Sequence, residues 1–103
     1  MDNKQINRIE KMEANLDEAR LAVDKLAEAL SGYEEIQDKY YELANYYGSV
    51  QWMDDYESDE EGELPADLKR GVLSEDAVYN LISEHNNLMI RLQKAVLRSL
   101  EDE

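Results

Sequence analysis

The residues with the clearest chemical potential are seven carboxylates crowded into a ten-residue segment that holds no basic residue. This acidic run consists of Asp54, Asp55, Glu57, Asp59, Glu60, Glu61 and Glu63. Carboxylate oxygens are preferred ligands of Ca²⁺ and Mg²⁺. An EF-hand loop starting at Glu57 has Gly62 at its sixth position, but its twelfth is Leu68, where a bidentate Glu is needed. The run therefore predicts a solvated acidic surface, with a loose cation site as the weaker alternative. We assign no metal ligand and no cofactor.

Other candidates for catalysis are weak. His85 is the only His, and the chain has no Cys. A single His without such partners is a poor metal site, and its apolar helical neighbours predict a core or partly buried side chain bonded to a Tyr or a carboxylate. No Ser or Cys nucleophile pattern accompanies it, and no pair stands out among the 25 acidic residues. We expect no enzymatic activity and name no catalytic residue.

Lys69 and Arg70 form a basic pair within the acid-rich middle of the chain. The pair is expected to fold back onto the acidic run and neutralise part of it. The alternative is an anion or nucleic-acid contact near a helix N-terminus. A formal net charge of −14 argues against nucleic acid and anionic membranes as partners.

A heptad pattern positions the first helix, which we predict over about residues 4–47. Its apolar positions recur in steps of three and four, a pattern typical of a coiled-coil seam: Ile9, Met12, Leu16, Ala19, Val23, Leu26, Leu30 and Tyr33. Gly48 follows as a C-terminal cap in left-handed geometry. Ser31, Gly32 and Glu34 also fit a capping box, so a break or kink at 31–32 is the alternative to a continuous helix.

The last helix is predicted over about residues 74–101. Ser74 is a good N-cap, and a wide apolar face should be buried. That face comprises Val78, Leu81, Ile82, His85, Leu88, Met89, Leu92, Ala95, Val96 and Leu100. The fold class is all-α, with the first helix packed antiparallel on the last in a single domain.

The connector, about residues 49–72, is predicted to contain two short helices. Ser49 caps the first, which runs to about Tyr56 or Asp59, and Gly62 ends the acidic run. Pro65 begins the second, over 66–69, closed by Gly71. Six of the eight aromatic residues lie near this corner, where a core plug or a partner-binding patch around Trp52 would form: Tyr40, Tyr41, Tyr46, Tyr47, Trp52 and Tyr56.

The two long helices differ in length, roughly 65 Å against about 42 Å at 1.5 Å per residue. In an antiparallel hairpin, the last helix cannot cover the start of the first, where Ile6, Ile9, Met12 and Leu16 lie. A break at 31–32, self-association or a partner protein would bury them. We expect a homodimer or another protein contact through residues 6–23.

A string in the connector resembles a known family. Tyr46-Tyr47-Gly48-Ser49, Trp52, Leu64-Pro65 and the run from Leu68 to Asp76 are similar to the hallmark of small bacterial proteins called domain of unknown function 4298. The resemblance covers nearly the whole chain. It implies a helical fold and a bacterial source, and it transfers no catalytic residue because the family has no assigned activity.

The apolar segments and the Cys content of the chain limit where the protein can act. The start of the chain has no apolar core that could form a signal peptide, and no run approaches the ~20 apolar residues of a membrane span. Together with the absence of Cys, this predicts a soluble cytoplasmic protein. Two functions fit: a structural or adaptor module that presents the first helix and the Trp52 corner to a protein, or an acidic decoy that binds a basic, nucleic-acid-binding protein through the acidic run.

Overall fold

The computed structural model describes residues 2–101, and within this range every regular element is a helix. The elements are α1 (Asn3–Tyr46), α2 (Val50–Glu60), a 3₁₀ helix (Gly71–Leu73) and α3 (Ala77–Glu101). The predicted all-α class, with a long N-terminal and a C-terminal helix, is confirmed. The chain forms two compact units, Met1–Asp38 (unit 1) and Lys39–Glu103 (unit 2).

The first helix is continuous across Ser31 and Gly32, so the alternative of a break there is wrong. A single Gly costs a helix only about 1 kcal/mol relative to Ala, and the heptad pattern continues on both sides. Asp2 caps the start, because its carboxylate accepts a hydrogen bond from the Gln5 amide at 2.7 Å. Gly48 ends the helix with φ +81°, the left-handed geometry that the sequence predicts.

Unit 1 is a single helical segment with almost no buried surface. Every residue from Ile6 to Gly32 is exposed. The helix therefore gains little from packing within its own unit, although an amphipathic helix normally gains most of its stability that way.

In unit 2, Ser49 begins α2 as predicted. Its hydroxyl accepts a hydrogen bond from the Trp52 amide at 3.1 Å and donates one to the Tyr46 carbonyl at 2.6 Å. Gly62 has φ +72° and ends the segment after the helix, which is also as predicted.

The second short helix of the connector, predicted over 66–69, does not form. Only one turn is present, in which the Leu68 amide donates to the Pro65 carbonyl at 3.2 Å. The Arg70 side chain donates to the Pro65 carbonyl at 2.6 Å and to the Leu68 carbonyl at 3.4 Å. The guanidinium thus satisfies carbonyl groups that a helix would pair with amides. Gly71 does not close a helix; it begins the 3₁₀ helix.

The last helix is capped by Ser74, whose hydroxyl accepts from the Ala77 amide at 3.2 Å. Its predicted buried face is wrong in extent. Val78 is buried, and Ile82, His85 and Met89 are half-buried. The other six predicted positions are exposed: Leu81, Leu88, Leu92, Ala95, Val96 and Leu100. Periodicity indicates which face is apolar, but it does not show how much of that face finds a neighbour.

The centre of unit 2 lies where the 3₁₀ helix meets α2 and α3. Leu73 and Val78 are the two buried hydrophobic residues of the described chain. The end of α1 and the start of α3 run in opposite directions, as predicted, because Tyr40 contacts His85 whereas Tyr47 contacts Glu75.

Candidate interaction surfaces

The first candidate surface is the apolar seam of α1, here called the α1 seam: Ile9, Met12, Leu16, Ala19, Val23 and Leu26. The predicted interaction residues Ile6, Ile9, Met12 and Leu16 are 38%, 48%, 50% and 60% exposed. Val23 and Leu26 are also more than half exposed. The structure thus leaves the predicted surface uncovered within unit 1.

Charged residues border the α1 seam. Glu13 and Arg20 follow Met12 and Ala19 directly, so they occupy equivalent positions one heptad apart on the same edge. The Arg20 guanidinium lies 2.8 Å from the Asp24 carboxylate, and both side chains are more than 60% exposed. An exposed pair of this kind contributes little to stability and leaves Arg20 free to exchange partners.

The second candidate surface is the aromatic corner around Trp52. The Trp52 ring stacks on Tyr56 with centroids 5.2 Å apart and meets Tyr47 edge to face at 5.2 Å. Its indole N–H donates to the Val72 carbonyl at 2.9 Å. Trp52 is half-buried, so the corner is mainly an internal contact between α2 and the segment before α3.

Glu75 contacts two tyrosines of the aromatic corner. Its carboxylate accepts a hydrogen bond from the Tyr56 hydroxyl at 3.1 Å, and its carbonyl oxygen lies 3.4 Å from the Tyr47 hydroxyl. The bond to Glu75 raises the pKa of Tyr56, with the nearby charge of Glu60 adding to the effect. Tyr56 is therefore a hydrogen-bond donor at neutral pH.

A similar bond links α1 to α2. The Tyr46 hydroxyl donates to the Asp55 carboxylate at 2.6 Å. This bond, together with desolvation and the charge of Asp55, raises the pKa of Tyr46 to about 12. With its pKa raised in this way, the phenol stays un-ionised at neutral pH and acts as the donor in the bond that joins the two helices.

The acidic run is divided between internal and external roles. Asp55 binds Tyr46, and Asp59 is half-buried in an ion pair with Arg70. Asp54 and Glu57 of α2 and its C-cap residue Glu61 are exposed, and they lie three and four residues apart on one side of the helix. Glu60 and Glu63 are exposed as well.

The predicted folding back of the basic pair is confirmed for Arg70, which binds Asp59 and two carbonyl groups. Lys69 is exposed. His85 is half-buried as predicted, and its ring stacks on Tyr40 with centroids 4.0 Å apart. Its Nδ1 lies 3.1 Å from the Asn86 side-chain oxygen.

Within residues 2–101, no group of three or more His, Asp or Glu side chains is arranged to hold a metal ion. None of the described helices has the length and apolar character needed to cross a membrane.

The model of the family described as domain of unknown function (DUF4298) matches residues 9–95 of the 103. The chain belongs to the DUF4298 family. No curated protein and no solved structure matches it.

The connector string that resembles the DUF4298 hallmark has a structural role in this chain. Arg70 binds Asp59, the Val72 carbonyl accepts from Trp52, and Glu75 accepts from Tyr56. Sequence reasoning missed Leu73 as a buried residue and Asp2 as a helix cap. The capping role was readable, because Asp before a helical run is a preferred N-cap. A lone Leu in a loop carries no periodic signal.

Proposed function

We propose that this DUF4298 protein is a non-catalytic protein-interaction module and that the α1 seam binds another helix. The exposure of the seam carries this proposal. A row of apolar side chains at heptad spacing is suited to knobs-into-holes packing. Helices in proteins gain most of their stability from packing an amphipathic face, and unit 1 supplies no such packing for the seam, so contact with a second helix would stabilise it.

The free energy that burial of the seam can supply fits a reversible contact. Full burial of a large aliphatic side chain is worth about 1.5–3 kcal/mol, so a half-exposed one has roughly 1 kcal/mol left to gain. Five such seam residues on each helix, Ile9, Met12, Leu16, Val23 and Leu26, give about 10 kcal/mol. Association costs at least about 4 kcal/mol. The remainder corresponds to a dissociation constant of tens of micromolar or weaker.

We place this module in the bacterial cytoplasm. The family resemblance supports the bacterial source. The absence of Cys is compatible with a reducing compartment.

The test compares two Leu→Glu substitutions on α1. Leu16 lies in the seam, whereas Leu21 lies on the opposite side of the helix and is similarly exposed, at 56% against 60%. Sedimentation and affinity capture from the source cell should show that Leu16→Glu loses oligomers and partners. Leu21→Glu should keep them. Retention of every complex by Leu16→Glu would defeat the proposal.

A second candidate function, the acidic decoy, is favoured by one observation. Asp54 and Glu57 of α2, with the C-cap residue Glu61, form an exposed row that no ion pair neutralises in the described chain. A basic partner would bind there with strong salt dependence. Replacing the three with Asn or Gln should then abolish capture of that partner, while the Leu16→Glu variant retains it. Complexes that are insensitive both to salt and to these changes would exclude the decoy.

A further inference from the structure

We infer that the occupant of the α1 seam is the same seam of a second copy of this chain, aligned antiparallel so that Glu13 of each copy faces Arg20 of the other. This inference rests on the proposed function and names its partner. The sizes of the seam side chains, the charges beside them and the distribution of net charge along the chain support it.

The side chains of the seam are complementary in size when the two copies run in opposite directions. The two-fold axis then lies between residues 17 and 18, and each large side chain meets a side chain of different shape. The opposed pairs are Ile9 with Leu26, Met12 with Val23, and Leu16 with Ala19. A parallel alignment instead places Ala19 against Ala19, which leaves that layer thin.

The edges of the seam are complementary in charge in the same register. Positions that directly follow the second apolar residue of each heptad meet across an antiparallel pair. Glu13 and Arg20 therefore meet twice, once on each side of the axis. The next pair on this edge is Ile6 with Ala27, which adds apolar contact and no repulsion. Arg20 can exchange its ion pair with Asp24 for one with Glu13 of the other copy, because the pair with Asp24 is exposed.

The distribution of charge along the chain favours the antiparallel over the parallel alignment. A parallel pair also has one ion pair on each side, between Arg8 and Glu13. However, residues 39–103 hold 15 acidic and 6 basic side chains, and they follow the C-terminal end of the seam. Parallel copies bring both acid-rich segments to the same end, whereas antiparallel copies attach them at opposite ends.

A second copy explains the seam better than an unrelated partner. An isologous contact requires a surface that is complementary to itself under a two-fold axis. The seam meets this requirement in both size and charge. Binding to an unrelated helix would not require the seam to be complementary to itself.

Cross-linking tests the alignment, because the chain has no Cys of its own. Ile9→Cys protein carrying an affinity tag is mixed with untagged Leu26→Cys protein and oxidised. In the antiparallel pair these positions face each other, and a mixed disulfide forms. In a parallel pair they lie about 25 Å apart along the axis, out of disulfide reach, and each variant cross-links only to itself.

Charge reversal provides a second, independent measurement. Glu13→Arg and Arg20→Glu should each weaken dimerisation about tenfold in sedimentation at low salt. The double variant should restore the wild-type value. Circular dichroism checks that each variant keeps its helix content.

Each outcome is decisive. A mixed disulfide and restoration by the double variant support the inference. Self-cross-linking of Ile9→Cys, or failure of the double variant to recover, overturns the antiparallel alignment but leaves the interaction module intact. A strict monomer at millimolar concentration overturns self-association. The proposed function is then decided separately, by whether Leu16→Glu loses captured partners.

Discussion

Replacement of Leu73 by Ala tests whether the short 3₁₀ helix is the structural centre of unit 2. Leu73 is only 6% exposed, and its helix contacts both α2 and α3. The substitution removes three carbon groups from a buried site. Each is worth about 0.8 kcal/mol of transfer free energy, so the transfer loss is about 2.4 kcal/mol.

A cavity adds to this loss in a rigid core, where Leu→Ala costs 2–5 kcal/mol. Around Leu73 the neighbours are half-buried or exposed, including Tyr46, Leu64 and Val72. They can relax into the vacated space, so we expect the lower part of this range, about 2–3 kcal/mol. That is a large fraction of the 5–15 kcal/mol typical of a domain.

Leu68→Ala is the matched control, since it changes the same groups in the same connector at a site that is 48% exposed. It should cost about half of the transfer term, roughly 1 kcal/mol. Urea denaturation is followed by Trp52 fluorescence for unit 2 and by circular dichroism for total helix. All proteins are measured at one concentration, because self-association would add to the apparent stability.

A loss of under 1 kcal/mol for Leu73→Ala, or a loss equal to that of Leu68→Ala, would refute this account. The burial of Leu73 would then contribute no more than surface contact does. The aromatic corner and Arg70 would have to hold the connector by themselves.

Three further predictions concern the connector and α1. Trp52→Phe keeps the ring stacking but removes the bond to the Val72 carbonyl, and it should lower the free energy of unfolding by about 1 kcal/mol in a thermal or urea titration. The pKa of Tyr46 is raised from 10.0 to about 12, so folding favours its protonated form. The resulting contribution to the free energy of unfolding is complete below pH 10 and is lost as the pH rises toward 12. In alkaline denaturation, Tyr46→Phe should therefore lose less stability over this pH range than the wild type does. Gly48→Ala places an L side chain at φ +81° and should destabilise the fold by about 1–2 kcal/mol. Gly32→Ala lies in the interior of α1 with open space around it and should stabilise by up to about 1 kcal/mol. Effects of the same sign at both positions would contradict the assignment of Gly48 to a left-handed cap and Gly32 to a helix interior.

The helices could be predicted because their signals are local. Heptad spacing defines α1, and Ser49, Gly48 and Gly62 each meet a stereochemical demand within a few residues of themselves. Such demands can be read without knowing the rest of the fold.

The incorrect predictions share one cause: each depends on a contact that is either distant in the sequence or absent from the structure. Pro65 predicts a helix start, but the Arg70 side chain takes the Pro65 carbonyl. The wide apolar face of α3 predicts two neighbours, but its C-terminal half stays exposed. Of the candidate surfaces, the α1 seam was predictable because it depends on periodicity. The division of the acidic run was predictable only in part, since the Tyr46–Asp55 bond joins two separate helices.

Ser49 shows how narrow the chemical tolerance of one junction can be. Its single oxygen donates to the Tyr46 carbonyl, which ends one helix, and accepts from the Trp52 amide, which begins the next. A hydroxyl does both from one atom, whereas a carboxylate only accepts. Asp is as good an N-cap as Ser in general, but here it would set its negative charge against a carbonyl oxygen. Thr is thus the conservative replacement at this junction, because its hydroxyl can also donate to the Tyr46 carbonyl and accept from the Trp52 amide.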